Sequence, residues 1–252
     1  MNGRGRAPPL VLIAGYSCDL SVWELVRKEL ARHFSLVLLD NRCIGRSECP
    51  SGPFTIEDMA KDTLDLIESL GLERPHVLGH SMGGAVAQMM ARQQGGRIGK
   101  LVLAHPSIRS TPVGVAVLRS GLELLKAGVP MRLRAQVMMP WIFSNSFMAN
   151  HEACEMVIKN MEQDLHPPTL EALKRQYEAL VAFDSTPWQA QIRSPTLVLI
   201  GDEDLVCPPM ESRRLVERVP NGQLHCFEGQ AHSSLLERPA EFCQIVTGFL
   251  KK

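Results

Sequence analysis

Residues 75–91, PHVLGHSMGGAVAQMMA, decide the fold of this chain. A short apolar segment at 76–78 predicts a strand, and the run of small residues from Gly83 onward predicts a helix. Between them stands the pattern G-x-S-x-G, with Ser81 at its centre. The pattern predicts a sharp, strained turn from which the Ser81 hydroxyl projects free of the backbone. Gly79 and Gly83 flank the serine because a Cβ at either position would clash with that turn.

Strands and helices alternate on both sides of this stretch. Each predicted strand is apolar throughout, which is typical of a parallel sheet covered by helices on both faces. Ser21 and Thr55 are predicted to cap the first two helices, and Gly71 to end the second. The predicted strands are residues 10–14, 35–39, 76–78, 100–104, 196–200 and 224–227.

The alternation stops near Ile108 and resumes after Asp184. Between these residues the sequence shows helical periodicity punctuated by prolines, and no convincing strand. We therefore predict an α/β core formed by residues 1–107 and 185–252, with a helical lid at 108–184. The predicted lid helices are residues 113–127, 132–138, 152–164 and 169–183.

Composition limits the possible partners and the compartment. The 252 residues carry a formal net charge of zero, so no electrostatic field favours nucleic acid or an anionic membrane surface. The apolar runs have the length of strands, and none is long enough to span a bilayer. The cysteines are odd in number and lack a C-x-x-C pair, which argues against a zinc site or a disulfide framework and indicates the reducing cytoplasm. They are Cys18, Cys43, Cys49, Cys154, Cys207, Cys226 and Cys243.

An acid and a histidine follow later strands of the predicted sheet. Strand 196–200 runs into GDEDLVCPP, where Asp202, Glu203 and Asp204 compete for the role of catalytic acid. We select Asp204 because it sits deeper in the loop, keep Asp202 in reserve, and assign the unselected acids to turn formation. His232 follows the last strand in a glycine-containing loop, and the order Ser81, Asp204, His232 predicts a nucleophile, an acid and a base.

Catalysis by such a triad also needs donors for an oxyanion. We predict the backbone N–H of Met82, directly after the nucleophile, and the backbone N–H of Tyr16, in the loop after the first strand. The lid offers thioether and aromatic side chains suited to a deformable acyl pocket, although packing of the lid explains them equally well. The candidate pocket residues are Met138, Trp141, Phe143, Phe147 and, after strand 100–104, His105. His80 is expected to point away from the serine.

Together these motifs resemble the α/β-hydrolase superfamily over nearly the whole chain. The resemblance rests on GHSMGG, DNRCIGRS, GDEDLVCPP and GQAHSSLLERP. It implies a mostly parallel eight-stranded sheet with the lid inserted after the sixth strand, and it implies no metal and no organic cofactor. Many members carry His-Gly in the oxyanion loop, where this chain has Ala14-Gly15. A side-chain hydrogen bond that braces this loop is therefore expected to be missing.

The resemblance favours a serine hydrolase acting on a small or medium acyl ester. The same residues are compatible with an enol-lactone hydrolase, a cofactor-free perhydrolase, or an esterase for pimeloyl-type methyl esters. The last of these would use an acyl carrier protein as partner. Basic residues of the lid could attract such a carrier, although a solvated charged face is the better explanation for them. These residues are Arg109, Arg119, Lys126, Arg132 and Arg134. The alternative that is not an enzyme is a ligand-binding protein on a hydrolase fold with vestigial chemistry. For an enzyme, the expected partner is a small-molecule ester, thioester or lactone substrate.

Overall fold

A computed structural model describes residues 7–252, and these form one six-stranded sheet in which every strand pair is parallel. The spatial order of the strands is β2-β1-β3-β4-β5-β6. All six apolar segments predicted from the sequence are strands. They are β1 (Pro9–Ile13), β2 (Ser35–Leu39), β3 (His76–His80), β4 (Leu101–Ala104), β5 (Thr196–Gly201) and β6 (Gly222–Phe227).

The expected count of eight strands is wrong for the described part of the chain. That count came with the family resemblance, whereas the residues themselves contain six strand signals. The lid accordingly leaves the sheet after the fourth described strand, β4, and not after a sixth.

Helices cover both faces of the sheet, and alternate residues of each strand point to opposite faces. On one side lie α2 (Ile56–Ser69), α3 (Met82–Gln94) and α9 (Pro209–Arg218), which share a core cluster with Val77. On the other side lie α1 (Glu24–Leu30) and α11 (Pro239–Leu250), packed with Leu78. The two-sided burial explains why the central strands are apolar throughout.

The predicted helix ends are mostly confirmed. The Thr55 side chain accepts from the Asp58 N–H, and the Asp58 carboxylate accepts from the Thr55 N–H, a reciprocal cap at the start of α2. Gly71 ends this helix at a φ of 62°. The cap assigned to Ser21 is wrong. Asp19 accepts from the Ser21 N–H and caps a short 3₁₀ turn, Leu20–Trp23, which precedes α1.

The lid contains the four predicted helices and one more short helix. They are α4 (Pro112–Lys126), α5 (Met131–Ile142), α6 (Asn145–Met148), α7 (His151–Glu162) and α8 (Leu170–Val181). The chain leaves and re-enters the core at one point, where the Ser185 N–H donates to the Ile108 carbonyl at 2.9 Å. Beside that bond, Arg109 and Asp184 form an isolated antiparallel bridge. The division into a core and a lid at residues 108 and 184 stays our proposal.

The prediction from the cysteines that argued against disulfides is wrong. Cys43 and Cys49 form a disulfide, because the loop between them doubles back and brings their Cα atoms to 4.1 Å. The Cys43 N–H donates to the Glu48 carbonyl at 3.0 Å, and Gly45 supplies a φ of 57° for the turn. With this disulfide, the cysteines no longer indicate a reducing compartment. Among residues 7–252, no helix is both long and apolar enough to cross a bilayer.

A short helix follows the last strand of the sheet. After β6, α10 (Ser234–Glu237) precedes α11, and the loop between β6 and α10 carries His232. The loops that follow β1, β3, β4, β5 and β6 all emerge at the carboxyl edge of the parallel sheet, where functional groups of such sheets gather.

Candidate active site

Ser81 occupies the strained turn between β3 and α3. Its backbone has a φ of 53° and a ψ of −116°, a conformation that side chains rarely adopt outside functional turns. A Cβ on Gly79 would overlap the carbonyl of Gly83, and a Cβ on Gly83 would overlap the carbonyl of Ile13. Both glycines are therefore needed for the turn and for the close approach of α3 to β1.

The Ser81 hydroxyl lies 2.8 Å from Nε2 of His232, although the two residues are 151 positions apart. The loop that carries His232 is held on two sides. The His232 N–H donates to the carbonyl of Ile142 at the end of lid helix α5, at 3.0 Å. The other contact is with β5, where a Cβ on Gly201 would overlap the carbonyl of Gln230. The sequence around Gly201 gives no signal for this close approach.

Of the three competing acids, Asp204 is the one that contacts the histidine. Its Oδ2 lies 2.8 Å from Nδ1 of His232, and its Oδ1 accepts from the N–H groups of Val206 and Cys207 at 2.9 and 2.8 Å. Asp202 instead accepts from the Gly229 N–H at 2.7 Å, which organises the loop before His232. Glu203 accepts from the backbone of Asn145 in the lid at 3.0 Å.

Burial and pairing decide the charges of this group. Burial opposes ionisation of Asp204, but His232 and the hydrogen bonds from His105 and His232 hold the pKa of the carboxyl well below its usual range. Burial likewise opposes a charge on His232, yet the adjacent carboxylate outweighs it and raises the pKa of His232 well above the ordinary histidine value. Asp204 is therefore ionised, and the positive charge that develops on His232 has a nearby counter-charge.

Two further histidines surround His232, and the sequence analysis left both outside the triad. Nε2 of His80 donates to the carbonyl of His232 at 3.0 Å, so His80 helps to hold the loop that carries His232. Burial, followed by the charges of His232 and His105, lowers the pKa of His80 to about 3 and keeps it neutral. His105, predicted for the pocket, is fully buried, with its Nδ1 3.3 Å from Oδ2 of Asp204. A lone histidine after a strand gave no signal for either contact.

The predicted oxyanion donors lie on the two loops that meet beside Ser81. A Cβ on Gly15 would lie 3.2 Å from the Cβ of Ser81, so the loop after β1 passes directly along the serine. Within residues 7–252, neither the Tyr16 N–H nor the Met82 N–H donates to another group. Both amides are thus free for an acceptor, and their assignment as oxyanion donors stays a prediction.

The loop after β1, the predicted oxyanion loop, is held by side-chain hydrogen bonds, contrary to expectation. Nδ2 of Asn41 donates to the carbonyl of Ala14 at 3.0 Å. From lid helix α8, Oε1 of Gln176 accepts from the Ser17 N–H at 3.0 Å, and the Tyr16 hydroxyl donates to the carbonyl of Leu173 at 3.2 Å. These partners replace the histidine side chain that is absent from the loop.

The aromatic candidates for the acyl pocket lie mostly in the lid's own core. The rings of Phe143 and Phe147 stack with centroids 4.4 Å apart, and Phe143 is buried among Ala135, Met139 and neighbouring residues of α7. Trp141 remains 37 % exposed. Packing therefore accounts for Phe143 and Phe147, while Trp141 and Met138 stay pocket predictions.

His105, Asp204 and His232 also have the composition of a metal site, with ligand atoms within 4.8 Å of one another. However, Nδ1 of each histidine lies at hydrogen-bond distance from the same carboxylate oxygen, Oδ2. A neutral imidazole that donates through Nδ1 has no lone pair there for a metal. We therefore interpret the three side chains as a hydrogen-bonded group.

A serine, a histidine and an aspartate linked in this order at the carboxyl edge of a parallel sheet define the class of α/β hydrolases. Residues 8–239 match the family model described as alpha/beta hydrolase fold, and the chain belongs to this family.

Relatives and solved structures place the chain among hydrolases. A protein of Caulobacter sp. (strain K31) named "Putative carbamate hydrolase RutD" is 31% identical over 247 residues, 96% of this chain and 90% of that protein. The enol-lactonase from Burkholderia xenovorans LB400 superimposes with a TM-score of 0.86 at 28% identity, covering 100% of this chain and 94% of that one. A thermophilic esterase from Thermogutta terrifontis gives a TM-score of 0.84 at 28% identity, covering 98% and 90%. These similarities support hydrolase activity for this chain.

Proposed function

We propose that this protein is a serine hydrolase that cleaves a small or medium acyl carboxylic ester through an acyl-enzyme. The observation that carries the proposal is the continuous chain of contacts from Oγ of Ser81 through the ring of His232 to Asp204, at 2.8 Å for each link. These contacts support the roles of nucleophile for Ser81, general base for His232 and orienting group for Asp204.

The proposed reaction begins when neutral His232 accepts the proton of Ser81 as Oγ attacks the ester carbonyl carbon. Asp204 holds the ring in the tautomer that leaves Nε2 free and stabilises the imidazolium that forms. The N–H groups of Tyr16 and Met82 donate to the oxyanion, each contributing about 3 kcal/mol in the transition state. His232 then protonates the departing alcohol, and a water molecule, activated by the same base, releases the acid.

Lactone and carbamate hydrolysis are the alternatives that the similar proteins favour. The enol-lactonase and the carbamate hydrolases named among the relatives cover nearly the whole chain, and both chemistries attack a carbonyl carbon. The same triad would serve either substrate, or a perhydrolase. A panel of matched acyl groups as ester, lactone, thioester and carbamate, with peracid formation from acetate and peroxide assayed alongside, would rank these activities.

A free small molecule is favoured over an acyl carrier protein as the partner. Of the five basic lid residues that could attract a carrier, three are paired: Arg109 with Glu211, Arg132 with Glu155 and Glu162, and Lys126 with Glu123. Arg119 and Arg134 form no ion pair within residues 7–252. Pairs of this kind leave little net positive charge for a phosphorylated carrier.

The decisive experiment replaces the nucleophile. Ser81→Ala is expected to lower turnover of p-nitrophenyl butyrate on the order of 10⁵-fold or more while the protein stays folded, because the triad acts as a unit. Ser120→Ala, at an exposed serine on α4, is the matched control and should keep full activity. A fluorophosphonate probe should label the wild type and the control only. Wild-type turnover by Ser81→Ala would overturn the assignment of Ser81 as the nucleophile. An unlabelled wild type would favour a non-catalytic ligand-binding protein.

A further inference from the structure

His105 makes contacts that the proposed reaction does not use. It follows β4 with a φ of 48°, its side chain is fully buried, and its two ring nitrogens each have one partner. Nδ1 lies 3.3 Å from Oδ2 of Asp204, the same oxygen that contacts His232. Nε2 lies 2.7 Å from Oγ of Ser234, at the start of α10.

The partners determine the tautomer of His105. A carboxylate can only accept, so Nδ1 of His105 must carry a proton. Nε2 can then accept from the Ser234 hydroxyl, whose other contacts within the described chain include no competing acceptor. Burial lowers the pKa of His105 despite the attraction of Asp204, so the ring stays neutral. The hydrogen bond from Ser234 thus fixes the tautomer of His105, which donates to Asp204 through Nδ1–H as a neutral ring.

We propose that His105 is a positioning residue that shares Oδ2 of Asp204 with His232 and thereby holds the basicity of His232 below the value that Asp204 alone would impose. The proposal rests on the triad assignment of the proposed function. A neutral donor on Oδ2 stabilises the negative charge of the carboxylate and weakens its pull on the His232 imidazolium. Because His232 must be neutral to act as the base, His105 extends activity toward lower pH.

Other groups also surround His232 and Asp204, but among the described side chains only His105 shares Oδ2 of Asp204 with His232. Oδ1 of Asp204 is occupied by two backbone N–H groups, so a change at His105 acts on Oδ2. His80 faces both rings, with centroids 6.0 Å from His105 and 5.2 Å from His232, and it is neutral. The thiol of Cys207 contacts Ser107 at 3.7 Å, and Cys207 acts in the same direction as Asp204 by raising the pKa of His232. The nearby acids have partners of their own: Asp202 in the loop before His232, and Glu203 and Glu237 on the lid backbone.

The test measures the pKa of His232 directly. Histidine ¹⁵N chemical shifts, followed from pH 5 to 9, report the protonation of each ring without any turnover. His105→Phe removes the donor and keeps a flat ring, and the pKa of His232 is expected to rise by roughly half a unit to one unit. His105→Asn is the matched control, because its amide nitrogen takes the place of Nδ1 and asparagine tolerates positive φ. It should keep the pKa of His232 near the wild-type value.

The same spectra test the wild type, so the outcome does not depend on the folding of a variant. His105 should show a protonated Nδ1 and an unprotonated Nε2 over the whole range. A His105 that titrates in this range or is protonated at Nε2 overturns the proposal, as does a folded His105→Phe with an unshifted His232. The acid limb of kcat/KM should follow the spectroscopic pKa. Because the spectra need no substrate, they stand even if Ser81→Ala shows that the proposed reaction is wrong.

Discussion

Ser81 shows how a local sequence signal fixes a single residue. Its positive φ is tolerated because the turn is over-determined by α3, by β1 and by the Ser81 N–H, which donates to the carbonyl of Ala104 at 2.9 Å. The two flanking glycines leave the space that this packing requires, so the absence of a side chain at both positions is a structural necessity.

A methyl group at Gly83 is expected to destabilise the protein. Gly83→Ala places a Cβ on the carbonyl of Ile13 in β1, and we expect about 1–3 kcal/mol lost from the free energy of unfolding. Gly248→Ala is the matched control, since a Cβ at that exposed helical glycine would have no other atom within 4 Å. It should gain about 0.5–1 kcal/mol. Urea denaturation measures both, and equal effects would contradict the packing argument.

The pH dependence of activity should reflect His232. Since the pKa of His232 is raised and the base must be neutral, kcat/KM should fall as the pH drops through a value above that of an ordinary histidine. Asp204→Asn removes the charge that raises this pKa, so the acid limb should move to lower pH while kcat drops by about 10³–10⁴-fold. An acid limb that stays in place in Asp204→Asn would show that another group titrates.

The triad residues were predictable because each follows a strand within a recognisable turn. The contacts of His105, which was expected only in the pocket, and those of Asn41 and Gln176 were not predictable, because a polar residue of these types has many ordinary roles. Each forms a hydrogen bond with a residue 27 to 159 positions away in the sequence, and a local sequence pattern does not predict such a contact.

At the scale of elements, the strands and most helix ends followed from apolar runs and capping residues. The first helix was misassigned because Asp19 and Ser21 are both good caps, and only the 3₁₀ turn decides between them. Helix α5 continues past Pro140 to Ile142, beyond the predicted end at residue 138. Proline has no N–H, so the helix runs on to Ile142 without the bond that residue 140 would donate to the carbonyl four residues earlier.

Helix α8 contacts the loop after β1, the predicted oxyanion loop, and a substitution can remove this contact. Gln176→Leu removes the acceptor of the Ser17 N–H and leaves a part-buried donor without its partner. If the loop then loses its geometry, kcat should fall by about ten-fold with little change in KM, since an oxyanion donor acts mainly in the transition state. Steady-state kinetics on one ester give both constants. Gln163→Leu, exposed at the end of α7, should leave both unchanged; an equal loss there would point to a general disturbance of the lid.

At the scale of the whole molecule, the fold class followed from the alternation of elements, whereas the strand number and the disulfide did not. The disulfide loop carries Ile44, which packs against Leu122 and Leu173 of the lid. A covalent link therefore supports one of the surfaces on which the lid rests, a relation visible only once the chain is folded.

Reduction of the disulfide should lower stability. The link closes a short loop, so its loss should cost about 2 kcal/mol in the free energy of unfolding. Denaturant unfolding with and without a thiol reductant measures this difference. The double variant Cys43→Ser/Cys49→Ser should match the reduced wild type and be insensitive to the reductant. A wild type that is equally insensitive would show that the link contributes nothing.

The junction at Ile108 and Ser185 has a consequence for how such proteins diversify. The chain departs and returns at one place, where the N–H and the hydroxyl of Ser185 both donate to the Ile108 carbonyl beside the Arg109–Asp184 bridge, so the intervening helices form one contiguous insertion. A foreign cap grafted between these two anchor points would lack the Ile142 carbonyl that accepts from His232 and the Gln176 side chain that accepts from Ser17, so an exchanged segment has to reproduce both contacts to keep the site loops in place.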